Sequence, residues 1–194
     1  MPIFWLQIKA LASYFVKAST GSQNANNIPP APASSIPNTD KIVTLARMAE
    51  IRHRVGIQGS AAEIYRLLTT DAGLSQWWTS DTEGAGGVGS VIYFRFGDDG
   101  PRFEVTELVT DRRVRWRHYG DMPGAWKGSE ILFDLQAEEK QTIVAFSHYN
   151  WPQADDFLAH CSTKWGIFMM SLKSCVETGT GQPYPDDIHI DFDE

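Results

Sequence analysis

The chain has 194 residues, of which 42% are hydrophobic and 21% charged, and a formal net charge of -7 at pH 7. That length suits one domain with an extension, and that balance supports a packed core without a disulfide or metal staple. The acidic excess argues against a dedicated nucleic-acid binder, which needs a concentrated basic face to meet phosphates.

Residues 1–47 read as an amphipathic segment followed by a flexible linker, poorly ordered on its own. Phe4, Ile8, Leu11 and Phe15 recur at helical spacing. Lys9 falls inside the apolar run, so the segment has neither the charge order of a secretory signal nor the roughly 20 apolar residues of a membrane span. Attachment to a membrane surface is a weaker alternative. Ser19 to Asp40 is rich in Ser, Asn and Pro, including Ile28-Pro29-Pro30-Ala31-Pro32, and cannot bury enough apolar surface to order itself. Met48 opens the folded part, and an upstream misassigned start would account for what precedes it.

From Ile51 to Gln58, the side chains Ile51, His53, Val55 and Ile57 alternate with Arg52, Arg54, Gly56 and Gln58, the period of a strand with one buried face. Ser60 and Glu63 form a capping box ahead of a short helix carrying Ile64, Leu67 and Leu68. Asp71 starts a second short helix ending at Trp77-Trp78. The glycine-rich stretch Gly84 to Gly89 is followed by no helix, so it reads as a bend and not as a phosphate cradle. Strands are expected at about 91–97, 102–109, 112–119, 128–137 and 141–149, separated by short turn signals, hence an antiparallel meander. A helix from about Ala154 to Thr178 closes the chain, with Leu158, Cys161, Trp165, Phe168, Met169, Leu172 and Val176 on one face. His160, Lys164, Lys173 and Glu177 are expected on the other face. Gly179, Gly181, Pro183 and Pro185 end the helix. The acidic end over 186–194, with Asp186, Asp187, Asp191, Asp193 and Glu194, reads as a solvated tail.

Strand, two short helices, meander and one long helix form the order of the SRPBCC, or START-like, helix-grip superfamily. Within it the chain resembles the branch of homologues of the heat-shock-protein-90 ATPase activator. The resemblance rests on Ile57-Gln58-Gly59-Ser60-Ala61-Ala62-Glu63-Ile64-Tyr65, on Trp77-Trp78, and on Phe103-Glu104-Val105 with Val114-Arg115-Trp116. Phe146-Ser147-His148-Tyr149-Asn150-Trp151 and Trp165 through Leu172, then Glu177-Thr178-Gly179, complete it. It covers about 48–185 and implies an α+β helix-grip (Bet v 1-like) fold, with a curved antiparallel sheet of about six or seven strands, two short helices and one long C-terminal helix enclosing a cavity for apolar ligands. Members of the superfamily include cochaperones, polyketide cyclases and lipid carriers, so the fold alone names no activity.

Alternation assigns the side chains that would line such a cavity. Phe94, Phe96, Phe103, Trp116, His118, Phe133, Phe146 and His148 come from the sheet, Trp165 and Met169 from the long helix, and Trp77 or Trp78 stands at the mouth. The same residues would equally fill a solid core. His118 and His148, near strand ends on the inner face, are the candidate acid–base groups, with no catalytic residue assigned outright. A histidine merely hydrogen-bonded at the sheet end is the simpler account of each. Strict alternation would point Glu107 inward, where it would need a partner, but exposure at the strand end is the favoured reading. Arg113, Arg115 and Arg117 fall on the outer face of one strand, beside Arg112. His53, His118, His148, His160 and His189 have no metal-ligand spacing, so neither metal nor cofactor is expected. Cys161 and Cys175 lie 14 residues apart on one helix, about 21 Å, too far for a disulfide, and free thiols fit a reducing cytoplasm.

The favoured function is a cytoplasmic carrier or sensor for a small hydrophobic or aromatic molecule. The alternatives are a cyclase- or hydrolase-like enzyme using a pocket histidine, and a cochaperone-like protein-binding domain. Partners are expected to be a small apolar ligand, with no nucleic acid and no stable membrane span. A homodimer is compatible with the sequence. A chaperone partner is disfavoured, because the activator that the chain resembles carries a further domain ahead of this one.

Overall fold

Where apolar and polar side chains alternate, the chain forms strands. The computed structural model describes residues 48–121 and 123–190. The expected segment and linker over 1–47, and Asp191, Asp193 and Glu194, lie outside the described residues. The strands are β1 (Ala49–Ile57), β2 (Asp81–Glu83), β3 (Val91–Arg95), β4 (Arg102–Val109), β5 (Arg113–Tyr119), β6 (Glu130–Ala137) and β7 (Thr142–Trp151). They form one antiparallel sheet in the order β1-β7-β6-β5-β4-β3-β2. The meander closes when the first strand pairs with the last.

Helices α1 (Ala61–Thr69) and α2 (Asp71–Leu74) follow β1, and the long helix α3 (Asp156–Thr178) ends the domain. Ser60 caps α1 by accepting from the backbone N–H of Glu63, as the capping box requires. Asp155 caps α3 by accepting from Leu158 N, which is why the helix begins just after the expected Ala154. Gly179, in the left-handed region at φ 79°, ends it, and its N–H bonds to Cys175 O. A side chain there would strain the backbone.

Helix α3 buries Phe157, Cys161, Trp165, Phe168, Met169 and Leu172. At about 1.5–3 kcal/mol for each large apolar side chain removed from water, this face is what fixes the helix on the sheet. Polar contacts set its angle: Lys173 Nζ donates to Gly56 O at 2.7 Å, and His53 Nε2 meets Ser162 O at 3.0 Å. Both contacts fall on β1, the edge strand that would otherwise face solvent. Beyond α3 the chain returns beside Trp78, where Tyr184 N bonds to Trp78 O and Ser80 N to Tyr184 O.

The structure departs from the sequence expectations in β2, before β5 and on α3. The three-residue edge strand β2 was not anticipated; it is too short for periodicity, and Arg95 on β3 holds it by ion pairs to Asp81 and Glu83. Arg112 lies in the turn before β5, where Asp111 takes φ 58°. Glu107 faces outward, as the favoured reading had it, because the register shifts between Val105 and Glu107 and gives β4 an extra residue. Lys164, expected on the solvent side of α3, is buried and pairs with Asp187 at 2.8 Å, so Asp187 is not part of a solvated tail.

Candidate functional site: an aromatic crevice under the long helix

Strand register lays the inner side chains out in rows across the sheet. One row runs Val105, Trp116, Ile131, His148, Ile51, and the next runs Val114, Phe133, Phe146, His53. Trp78, at the end of the short helical region, drops onto the first row. Its indole lies parallel to that of Trp116 with centroids 6.1 Å apart, and tilted against Phe94 at 4.0 Å and Trp165 at 4.8 Å. Offset and edge-on contacts like these add roughly 0.5–1.5 kcal/mol per pair beyond burial. The middle of the grip is therefore filled with rings.

At one end the filling is incomplete. A crevice of about 20 Å³ lies between α3 and the sheet, lined by Trp78, Phe96, Trp126, His160, Cys161, Lys164, Trp165 and Phe168. A space this size holds about one water-sized group. Trp126 enters from the 3₁₀ turn Gly124–Trp126 between β5 and β6, and Gly128, at φ 80°, carries the chain out again into β6. Lys164 brings a charge to the wall, but Asp187 neutralises it; the two side chains are 7% and 1% exposed. The Cys161 thiol is pushed well above its usual range by burial, with the Trp126 indole opposing the shift. It is thus a neutral apolar wall group and not a nucleophile.

His118 and His148 flank the same indole, with ring centroids 6.3 and 5.1 Å from Trp126. His148 is fully buried. Trp165 Nε1 donates to its Nδ1 at 3.2 Å, and an indole nitrogen can only donate, so Nδ1 accepts. Nε2 therefore carries the proton and donates to Ser129 Oγ at 2.8 Å. Burial, followed by the charge of His118, lowers the His148 pKa to about 3. Both ring nitrogens are engaged and the ring is neutral near pH 7, so His148 can orient Trp165 and Ser129 but has no free position for a substrate proton.

Of the expected cavity residues, Trp78, Phe96 and Trp165 line the crevice. Phe94, Phe103, Trp116, Phe133, Phe146 and Met169 are packed behind it. Trp77 lies inside the core and not at a mouth, and its Nε1 donates to Leu67 O at 3.1 Å. Sequence reasoning missed Trp126, Trp151, Ser129 and the Lys164–Asp187 pair. The one usable signal was a tryptophan inside the glycine-punctuated stretch Gly124-Ala125-Trp126-Lys127-Gly128, where a solvated turn has no use for a large apolar ring. Among the described residues no helix is long and apolar enough to cross a membrane, and no cluster of three or more His, Cys, Asp or Glu could hold a metal.

Residues 58–177 match the family model described as activator of Hsp90 ATPase homolog 1-like protein. The chain belongs to this family. It is similar, at 52% identity, to the protein in the solution structure of the Aha1 dimer from Colwellia psychrerythraea. That match covers 69% of this chain and 100% of the other, with a TM-score of 0.65. The fold also recurs in DynU16, from the dynemicin biosynthetic locus, at 20% identity over 68% of this chain and 48% of that one, TM-score 0.57. CalU16 from Micromonospora echinospora shares it at 14% identity, over 67% and 75% of the two chains, TM-score 0.55. No curated protein matches the chain. These likenesses establish the helix-grip fold anticipated from the order of elements.

Proposed function

We propose that this domain binds a small hydrophobic or aromatic molecule in the crevice under α3, as a carrier or sensor. The observation that carries the reading is the crevice itself, a gap beside closely packed aromatic rings, walled by Trp78, Phe96, Trp126, Trp165 and Phe168. Flat rings give a ligand large contact area at little entropic cost, and a few placed polar groups fix its orientation. Because the gap is small, the ligand inserts one end and the rest of it displaces rings at the rim. The buried thiols of Cys161 and Cys175 fit a reducing cytoplasm.

The enzyme alternative is weaker, because it would have to rest on His118 alone. The protein-docking alternative loses its cationic patch, since Arg113, Arg115 and Arg117 each pair with carboxylates of the same sheet face. A homodimer is favoured by one specific observation, the dimeric state of the Aha1 protein from Colwellia psychrerythraea that this chain resembles. Light scattering after size exclusion tests it, and a monomer mass at micromolar concentration would remove it.

The binding reading is tested by native mass spectrometry of the full chain isolated from its own host, beside Cys161→Phe, which fills the crevice. The expected result is a stoichiometric small apolar molecule on the natural chain and none on the variant. A clean apo mass, with no uptake of the dye Nile red, would sink the reading.

A further inference from the structure

A gap of about 20 Å³ holds one water-sized group, so a ligand of any size enters only if part of the wall moves. The walls differ in what movement would cost. Trp78 is packed against Phe94, Trp116 and Trp165. Trp165 also meets Phe146 and donates to His148 Nδ1. Moving either ring opens voids in a close-packed interior. Helix α3 is fixed by its whole apolar face. The segment that follows α3 is held differently.

After Gly179 the chain turns back along the helix. Ser171 Oγ accepts from Gln182 N at 2.7 Å. Tyr184 is bound through its main chain, its N–H donating to Trp78 O and its carbonyl accepting from Ser80 N. Its ring stands 5.1 Å from that of Phe96, which lines the crevice. Beyond Tyr184 the hold narrows. Pro185, Asp186, Ile188 and His189 are exposed, and Asp187 is the one buried residue of 185–190. Its Oδ2 accepts from Lys164 Nζ at 2.8 Å, and Ile188 O accepts from the same ammonium at 3.3 Å. Lys164 itself lines the crevice, with its ammonium 5.9 Å from the Phe168 ring, so the segment is fastened to the crevice wall. Asp187 Oδ1 is buried and has no hydrogen-bond partner among the described residues. A carboxylate taken out of water with one oxygen unmet recovers only part of its lost hydration, which weakens the fastening. A segment with so few buried contacts opens at lower cost than the core beside it.

We propose that residues 186–190 are a strap that gates the crevice. With Asp187 on Lys164 the site is closed; when that pair parts, the strap swings out on Tyr184 and frees the rim beside Phe96 and Phe168. Opening returns both charges to water, which offsets the contact that is lost, and it leaves the rings beneath in place. Uptake of a ligand is then set by the population of the open state. This inference rests on the crevice being the ligand site and adds how entry to it is controlled.

Stopped-flow uptake of Nile red by the full chain and by Asp187→Asn tests the gate. The substitution keeps the shape of the side chain and removes the charge that holds the strap. It is expected to speed uptake roughly tenfold, the change that a tenfold larger open population gives. Amide hydrogen exchange on the natural chain supplies a second readout. Saturating dye should raise exchange over 186–190 and leave Tyr184 and Ser80 protected, because their main-chain bonds form the hinge. Equal uptake rates, with exchange over 186–190 unchanged by dye, would overturn the gate and leave the crevice as a binding site. No uptake by either protein, or equal uptake by Cys161→Phe, would remove the crevice and the gate with it. Should Asp187→Asn fold poorly, the exchange measurement on the natural chain decides the matter alone.

Discussion

The two faces of β5 are built from alternate residues of one seven-residue strand and obey different physics. Inward, Val114, Trp116 and His118 are buried among aromatic rings; outward, Arg113, Arg115 and Arg117 pair with Glu104, Glu107 and Asp134. The inner side chains touch many neighbours at once in a space with little water, so each substitution leaves a cavity or an orphaned group. The outer ones are long, hydrated and about one-third to one-half exposed, so water and salt replace most of what a lost pair supplied. The difference locates stability on the inner face.

The comparison is tested hardest at Trp116. Trp116→Ala should destabilise the domain by about 3–5 kcal/mol in urea unfolding, as large-to-small changes in a filled core do. Its ring meets those of Trp78, Phe94, Phe103 and Phe133. A loss under about 1 kcal/mol would mean that the interior repacks freely and is not the rigid filling described above. Next comes Asp187→Ala, which leaves the Lys164 ammonium buried without its carboxylate. Removing one member of such a pair costs roughly 3 kcal/mol or more, whereas replacing both, as Lys164→Met with Asp187→Leu, should recover most of it. Unfolding curves of the single and double variants make the check.

The two faces of β5 were readable in the sequence because alternation is a local property, and so were the caps at Ser60 and Gly179. What was not readable depended on contacts between distant segments. Lys164 sits at a position that α-helical periodicity assigns to solvent, and only the returning chain at Asp187 buries it. Trp126 and Ser129 belong to a turn, where no period operates, and their partners Cys161 and His148 lie on other elements. Glu107 faces outward, as favoured, although strict alternation would turn it inward, because a bulge adds a residue without a reliable sequence mark. His118 and His148 were identified as a pair of interest. That His148 is neutral, with both nitrogens engaged, follows from Trp165, a residue 17 positions further along the chain.

A smaller effect sharpens the inner-face picture through pH. The folded pKa of His148 is lowered to about 3 from the ordinary 6.5. The unfolded chain therefore binds the extra proton first as pH falls. The stability held by neutral His148 is complete above about pH 6.5 and is lost progressively from there down to about pH 3. At pH 5 the loss amounts to about 2 kcal/mol. His148→Gln should unfold more readily at pH 7, because Ser129 and Trp165 lose a matched partner. Its stability should then decline less steeply than that of the natural chain between pH 6.5 and 5. Parallel slopes for the two proteins would show that His148 is not the group that titrates.

The smallest expected effect lies on the outer face, where its smallness is the content of the prediction. Arg115 pairs with Glu107 at 3.4 Å, and each side chain is 34% exposed. Arg115→Ala should change unfolding free energy by no more than about 1 kcal/mol. Most of that difference should vanish in about 1 M salt, where the screening length falls to roughly 3 Å, shorter than the pair itself. Trp116→Ala, one residue along the chain, should keep its full cost in the same salt, since cavity formation involves no screened charge. If Arg115→Ala instead proved as costly as Trp116→Ala and indifferent to salt, the charges would be structural, and the separation between the faces of β5 would fail. If it proved cheap for folding yet abolished capture of an acidic partner, the outer face would be the recognition surface, and the crevice would lose its claim to be the site.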